Sequence, residues 1–482
     1  MPGTPRLRRS CLKFALAGVL LLLIAAVRLP FIGNILAGEE GDFAVLVLSD
    51  EPPSAMSADR LPRDLIGYID GKPVLTSFHR TIMPYIILER LGRLFAPDHA
   101  LGRLPSERLT MAARLPFAII FLMGVAGLIA LTVQAATAAS KRASAVASIA
   151  PLSVTLWSLT TPLALGASIY PQVDGSAGVL LLGIAATLLA VGDIAQRGAR
   201  WRFLAAGVLA GLGKHEWALA FAAAALGAAA TSFLLSSERR PAALAFGAFF
   251  VGLALAVALS YGISPKDYRD GFRVMATYYS MTGGRLWALE PPQWPFTLPV
   301  VALIVVDGAF LLAVLRRLVR TAPGLLLAYL GAAAITAGYT ISGWPGDNFP
   351  RYFAPALIIL AIVLVSLWRR FKDSIAPSTG WAVTAVAVIG LVANYHYLAG
   401  SYDSAVSVTE MPGTPLAKLA QDYAVAAKLA RDTHGIVFTF PPTWVYYPGT
   451  NFISAALGKA DAEAHIATFF PQFKDRLIFP PP

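Results

Sequence analysis

Residues 203–236 read FLAAGVLAGLGKHEWALAFAAAALGAAATSFLLS, an apolar run whose charges, Lys214 and Glu216 with His215 between them, fall near one third of its length. As one straight helix the run would rise about 50 Å, against a hydrocarbon core of about 30 Å. It is too long for a single span. It reads instead as a short re-entering or tilted helix, a turn at the charged cluster, and a second helix back. The sidedness of everything that follows depends on that turn.

Working outward, further apolar runs lie at 14–31, 111–134, 143–163, 173–193, 241–262, 298–315, 323–342, 350–368 and 379–398. Each approaches the ~20 residues a helical span needs. With 203–236 counted as two, the chain has about eleven spans. Composition agrees: 56% hydrophobic and 14% charged residues among 482, with a mean hydropathy of +0.63, exclude a soluble globule. The first run resembles a signal peptide, with a basic start and Ala37 before Gly38, but the spans behind it favour a retained anchor. Cys11 is the only cysteine, so no intramolecular disulfide exists.

The basic residues test the hairpin independently. Arg6, Arg8, Arg9 and Lys13 precede the first span. Lys141 with Arg142, Arg197 with Arg200 and Arg202, and Arg239 with Arg240 follow on the same side. So do Arg316 with Arg317 and Arg320, and Arg369 with Arg370 and Lys372. A single span over 203–236 would push the last three clusters to the other face. The expectation is a cytoplasmic N-terminus and a C-terminus outside. Alanine richness and compact loops point to a bacterial inner membrane. The net charge of +11 comes largely from these clusters and reports topology, with no nucleic-acid motif beside it.

The outer segments are then 32–108, 164–172, 263–297, 343–349 and 399–482, and they hold most of the acidic residues and histidines. In the first outer loop (32–110), Pro84 to Phe95 is amphipathic at helical spacing and reads as an interfacial helix. Tyr268, Phe272, Tyr278, Tyr279, Trp287 and Trp294 read as an interfacial aromatic belt. The tail predicts a helix over 415–432 and a strand over Ile436 to Phe440. The expected architecture is an all-α polytopic membrane domain (1–398) with a small α/β outer C-terminal appendage (399–482). No internal repeat is present.

Membrane enzymes that use a lipid-linked donor need a carboxylate base, an acceptor hydroxyl and cations for the leaving phosphate at one membrane surface. The outer face offers the carboxylates Glu39, Glu40, Asp42 and Asp174, and the cations Lys72, Arg80, Arg114, Lys214 and Arg351. Each has a bland alternative. An acidic loop is ordinarily solvated surface, Asp174 suits a helix N-cap, and cations at span ends commonly snorkel to headgroups.

The order of these features resembles the GT-C glycosyltransferase superfamily, in the branch holding protein O-mannosyltransferases and the lipid A aminoarabinose transferase. The likeness runs through Leu-Pro-Phe at 29–31, Gly-Glu-Glu-Gly-Asp-Phe-Ala at 38–44, and His79 with Pro84-Tyr85. It continues in Arg114-Leu115-Pro116, Asp174, Gly-Leu-Gly-Lys at 211–214, and Arg351-Tyr352 opening a late span. The resemblance implies a catalytic base at Glu39 or Glu40. The family commonly has Asp at the first of these places, so Glu39 is a departure. Asp42 is the alternative base, with Glu39 and Glu40 then holding a divalent metal ion or orienting the acceptor. The resemblance further implies that Asp174 orients hydroxyls, that Arg114, Lys214 and Arg351 bind the donor phosphate, and that His79 and Tyr352 line the substrate site.

The implied activity is transfer of a sugar from polyprenyl phosphate to an extracytoplasmic lipid, polysaccharide or protein acceptor, with inversion. No module for a nucleotide donor is recognisable. The rival reading is a transporter or flippase for lipid-linked sugars, which would place ionisable groups near the bilayer midplane. Asp307, inside the run 298–315, is the one residue that argues for it, and it is otherwise expected to be a hydrogen-bonded packing residue.

Overall fold

The computed structural model describes residues 13–26, 67–69, 72–74, 111–137, 146–169, 173–235, 239–263, 265, 268–269, 272, 294–341, 350–374, 376–400, 436–439, 445–447, 450–454 and 477–478. The helices are α1 (Lys13–Ala26), α2 (Met111–Thr137), α3 (Val146–Leu159), α4 (Pro162–Ile169), α5 (Gly178–Ala190) and α6 (Ala199–Gly211). They continue as α7 (His215–Leu235), α8 (Arg239–Ile263), α9 (Trp294–Thr321), α10 (Pro323–Ile341), α11 (Ala354–Phe371) and α12 (Pro377–Gly400). A π-helical turn, Val173–Ala177, leads into α5, and a 3₁₀ turn, Pro350–Phe353, leads into α11.

Every expected span coincides with a helix or a bent pair. Among the described residues seven helices are long and apolar enough to cross a membrane, or eight if α3 and α4, bent by 61°, count together. The protein is an integral membrane protein with an all-α membrane fold. α1, α6 and the run Gly175–Ala190 are shorter, so reaching eleven requires these three to cross as well.

The run 203–236 does break at its charged cluster, with α6 ending at Gly211 and α7 starting at His215. Gly213 lets the turn close, because a Cβ there would run into the Trp217 ring. α6 and α8 run parallel at backbone contact: a Cβ on Gly207 would strike the Phe249 carbonyl oxygen, and one on Gly252 the Leu204 carbonyl oxygen. Phe203 meets Phe246 edge-on at 5.6 Å nearer their starts. α7 returns against α10, where Phe221 packs over Gly331.

The outer segment expected over 164–172 is not a loop through its first part: Pro162–Ile169 is a helix, buried from Pro162 to Ser168, that continues from α3 across the bend. The bend satisfies its own polar groups. Thr160 Oγ1 donates to the Leu156 carbonyl (2.8 Å), and Thr161 Oγ1 accepts from the Ala164 amide (3.1 Å), capping α4. Pro162 at the first helical position lacks an N–H that would be unpaired there anyway.

α11 is the axis of the bundle. All of its residues except Arg369 and Arg370 are buried, against α2, α3, α5, α9 and α10. At its end Arg370 donates to Asp193 Oδ1 (2.6 Å), the Gly192 carbonyl (2.5 Å) and the Ala190 carbonyl (3.1 Å). Gly192, at φ 79°, turns the chain back after α5. Arg369 reaches Gln134 (2.6 Å), Arg317 reaches Ser374 (3.2 Å), and Arg202 reaches the Asp193 carbonyl (2.9 Å). The basic clusters of α6, α9 and α11 therefore share one end, the arginine end, as the hairpin reading requires.

Outside the bundle, β1 (Gly67–Ile69) and β2 (Lys72–Val74) pair antiparallel, with Asp-Gly between them, a favoured hairpin dipeptide. In the tail, β3 (Ile436–Thr439) is the strand expected there; it lies parallel to β5 (Thr450–Ser454) and β6 (Leu477–Ile478), and β4 (Val445–Tyr447) closes the order β4-β5-β3-β6. The expected helices at Pro84 to Phe95 and 415–432 lie outside the described residues.

Candidate active site at the tyrosine end

Opposite the arginine end, the start of α7, the end of α10, the 350–353 turn and the 173–177 turn converge. Lys214 is the centre of this end. It sits in the turn before α7, its carbonyl accepting the Ala218 amide (3.1 Å), and the residue is 1% exposed. The ammonium lies 4.4 Å from the Tyr352 ring centroid and 5.6 Å from that of Tyr339. The two tyrosine rings stack on one another at 4.8 Å and 21°. Phe353 meets Tyr339 edge-on at 6.4 Å. A desolvated ammonium on an aromatic face gains roughly 2 kcal/mol from the ring quadrupole. The tyrosines thus offset part of the cost of placing a cation in an apolar bundle.

His215 begins α7 and is also buried. Its ring lies edge-on to Tyr268 (4.4 Å) and Phe272 (6.0 Å), and Tyr268 in turn to Tyr261 (6.0 Å). Neither ring nitrogen has a hydrogen-bond partner among the described residues. Lys214 faces α10 and the 350–353 turn while His215 faces the segment after α8, so the two diverge. Burial raises the Tyr268 phenol above its ordinary value, which keeps it a neutral hydroxyl.

The other expected residues are distributed as follows. Asp174 lies in the π turn, which packs against the 350–353 turn carrying Arg351 and Tyr352. Gly175 there leaves helical geometry (φ −80°, ψ −108°), and Ser176 is buried with no hydrogen-bond partner for its hydroxyl among the described residues. π turns recur at functional sites. Arg114 is in the first turn of α2, about 15 Å of helix rise before Gly124, which packs on Val179 at the start of α5. It therefore belongs to the same end. For Asp174, Arg114 and Arg351 the backbone is described and the side chain is not. Glu39, Glu40, Asp42 and His79 lie outside the described residues.

Tyr339 was not foreseen. A tyrosine closing an apolar run reads as an interfacial anchor, and nothing local shows that it stacks on Tyr352. Among the described residues no three His, Cys, Asp or Glu side chains group as metal ligands.

The bundle carries a hairpin that turns at its charged cluster, a cation seated on tyrosines at one end and arginines tied together at the other. It is similar to the crystal structure of ArnT from Cupriavidus metallidurans bound to undecaprenyl phosphate, with a TM-score of 0.58 and 14% identity, over 96% of this chain and 89% of that one. The resemblance seen in the sequence is thus met at the level of the fold. Weaker likenesses are to the same ArnT in the apo state (TM-score 0.49, 15% identity, 86% and 70% covered) and to the Archaeoglobus fulgidus oligosaccharyltransferase in the apo form (TM-score 0.37, 12% identity, 81% and 56% covered). No protein-family profile matches the chain, and no characterised protein matches it by sequence.

Proposed function

We propose that the protein is a glycosyltransferase that moves a sugar from a polyprenyl phosphate to an acceptor outside the cytoplasm. The observation that carries this reading is the buried Lys214 ammonium on the Tyr339–Tyr352 stack, at the end of the bundle where Arg114, Asp174 and Arg351 also lie. The similar ArnT structure holds undecaprenyl phosphate, which supports a lipid-phosphate donor here.

As the glycosidic bond breaks, charge grows on the oxygen that stays with the lipid phosphate. A preorganised cation stabilises that charge more than the ground state, and it does so most effectively where water is excluded. Lys214 fills this role, with Arg114 and Arg351 as its partners on the phosphate. A carboxylate of the run Glu39, Glu40, Asp42 removes the acceptor proton as its oxygen attacks the sugar carbon. Displacement is direct, so the anomeric centre inverts and no covalent sugar–enzyme intermediate forms. Asp174 orients hydroxyls, and His79 and Tyr352 line the substrate. In this reading the arginine end is cytoplasmic, the tyrosine end faces outward, residues 1–398 form the catalytic membrane domain and 399–482 an outer appendage.

The test is release of polyprenyl phosphate from radiolabelled lipid-linked sugars by purified protein in lipid, with cell-envelope extract as acceptor. Acceptor-dependent release should vanish in a folded variant carrying Glu39→Gln, Glu40→Gln or Asp42→Asn. Release unaffected by all three would reject this site.

Asp307 favours the rival transporter reading. It is fully buried in α9, and contrary to expectation neither carboxylate oxygen has a hydrogen-bond partner among the described residues. A transporter would lose activity with Asp307→Asn and keep it with the three carboxylate variants; the transferase would do the reverse.

A further inference from the structure

We propose that the arginine end of the α6–α8 pair is a binding site for an anionic phospholipid, separate from the tyrosine end. The parallel contact of Gly207 with Phe249 and of Leu204 with Gly252 fixes the register of the two helices. Extended back past Phe203 and Phe246, that register puts Arg200, about one turn further along than Arg240, and the turn that carries Arg197 at the end of the pair where Arg239 and Arg240 begin α8. All four are exposed, and none has a carboxylate partner among the described residues. Asp193, the nearest described acid in the chain, is taken by Arg370. Glu238, outside the described residues, leaves the group net positive even if it pairs with one arginine.

The surroundings fit the rest of such a lipid. Trp201 is 73% exposed beside Arg200, in the position of a headgroup-level anchor. From there Leu244, Val251, Leu255 and Leu259 form an exposed apolar stripe along α8, a track for an acyl chain. Guanidinium forks match a phosphodiester, and a headgroup without a cation of its own leaves their field unopposed. A net-negative headgroup such as phosphatidylglycerol is thus selected over zwitterionic phosphatidylcholine. The site lies at the far end of α11 from Lys214, so it stands whether or not the transferase reading does.

The experiment measures retention of phosphatidylglycerol against phosphatidylcholine by the purified full-length protein, using native mass spectrometry after mixed-lipid exchange. Wild type should prefer phosphatidylglycerol. The double variants Arg197→Gln/Arg200→Gln and Arg239→Gln/Arg240→Gln should each lower that preference by about tenfold. Arg316→Gln/Arg320→Gln, at the same end but on α9, should leave it unchanged. Equal loss in the α9 variant would overturn the site in favour of a diffuse field, and no loss in the α6 and α8 variants would overturn it outright. Should those variants not fold, wild type still decides: retention must weaken as salt rises, and salt-insensitive retention would overturn the proposal.

Discussion

Lys214 is the residue on which the candidate site turns, and its surroundings separate charge from packing. Lys214→Met keeps most of the stem inside the Tyr339–Tyr352 contact and removes the ammonium. Sugar transfer should fall by about 10²–10³-fold while the thermal midpoint stays near wild type. Tyr352→Phe preserves the ring face and should be mild; Tyr352→Leu removes it and should weaken donor binding by about 1–2 kcal/mol, read as a raised KM for the lipid donor. The lysine was legible because a charge inside an apolar run demands a reason. Its aromatic seat was not, since Tyr339 and Tyr352 both lie far along the chain from Lys214, and nothing in the stretch between them shows that their rings stack.

At the scale of elements, the hairpin followed from length together with charge: 203–236 exceeds one straight span, the basic loops keep one side only if it turns back, and the break falls at the charged residues. The α3–α4 bend was missed because its signals, Thr160, Thr161 and Pro162, also describe a span that ends. Only the tertiary context of α2, the π turn and the 350–353 turn buries what comes next. The α6–α8 contact yields a sharp prediction. Gly252→Ala places a methyl group on the Leu204 carbonyl, forces the backbones apart, and should destabilise the protein by about 1–3 kcal/mol, measured by thermal unfolding in detergent. Gly247→Ala, on the same helix with open space around it, should be neutral or slightly stabilising.

Across the whole molecule the two ends divide their work. At one, Arg370 ties α11 to the last carbonyls of α5 and to Asp193. Asp193 is 49% exposed, so the ion pair itself contributes under about 1 kcal/mol. The two carbonyl bonds matter more: Arg370→Gln should cost about 1–2 kcal/mol and Asp193→Asn less, a ranking that chemical denaturation of the two variants checks. The basic loops made this end visible in the sequence, because charge in short loops follows sidedness directly. The acidic run 39–42 carries the other half of the proposed chemistry, and its family pattern rather than any local physics is what pointed to it.

The enclosure of α11 also constrains how the protein is made. A helix walled in by α2, α3, α5, α9 and α10 has almost no surface left for lipid, yet it emerges from the ribosome after all five. Its neighbours must wait in the bilayer with a central slot unfilled, and the bundle cannot close until residue 371 has been inserted. Nascent chains arrested before α11 should therefore remain open to protease and to chaperones that guard unfinished membrane proteins, and resistance should arrive in one late step.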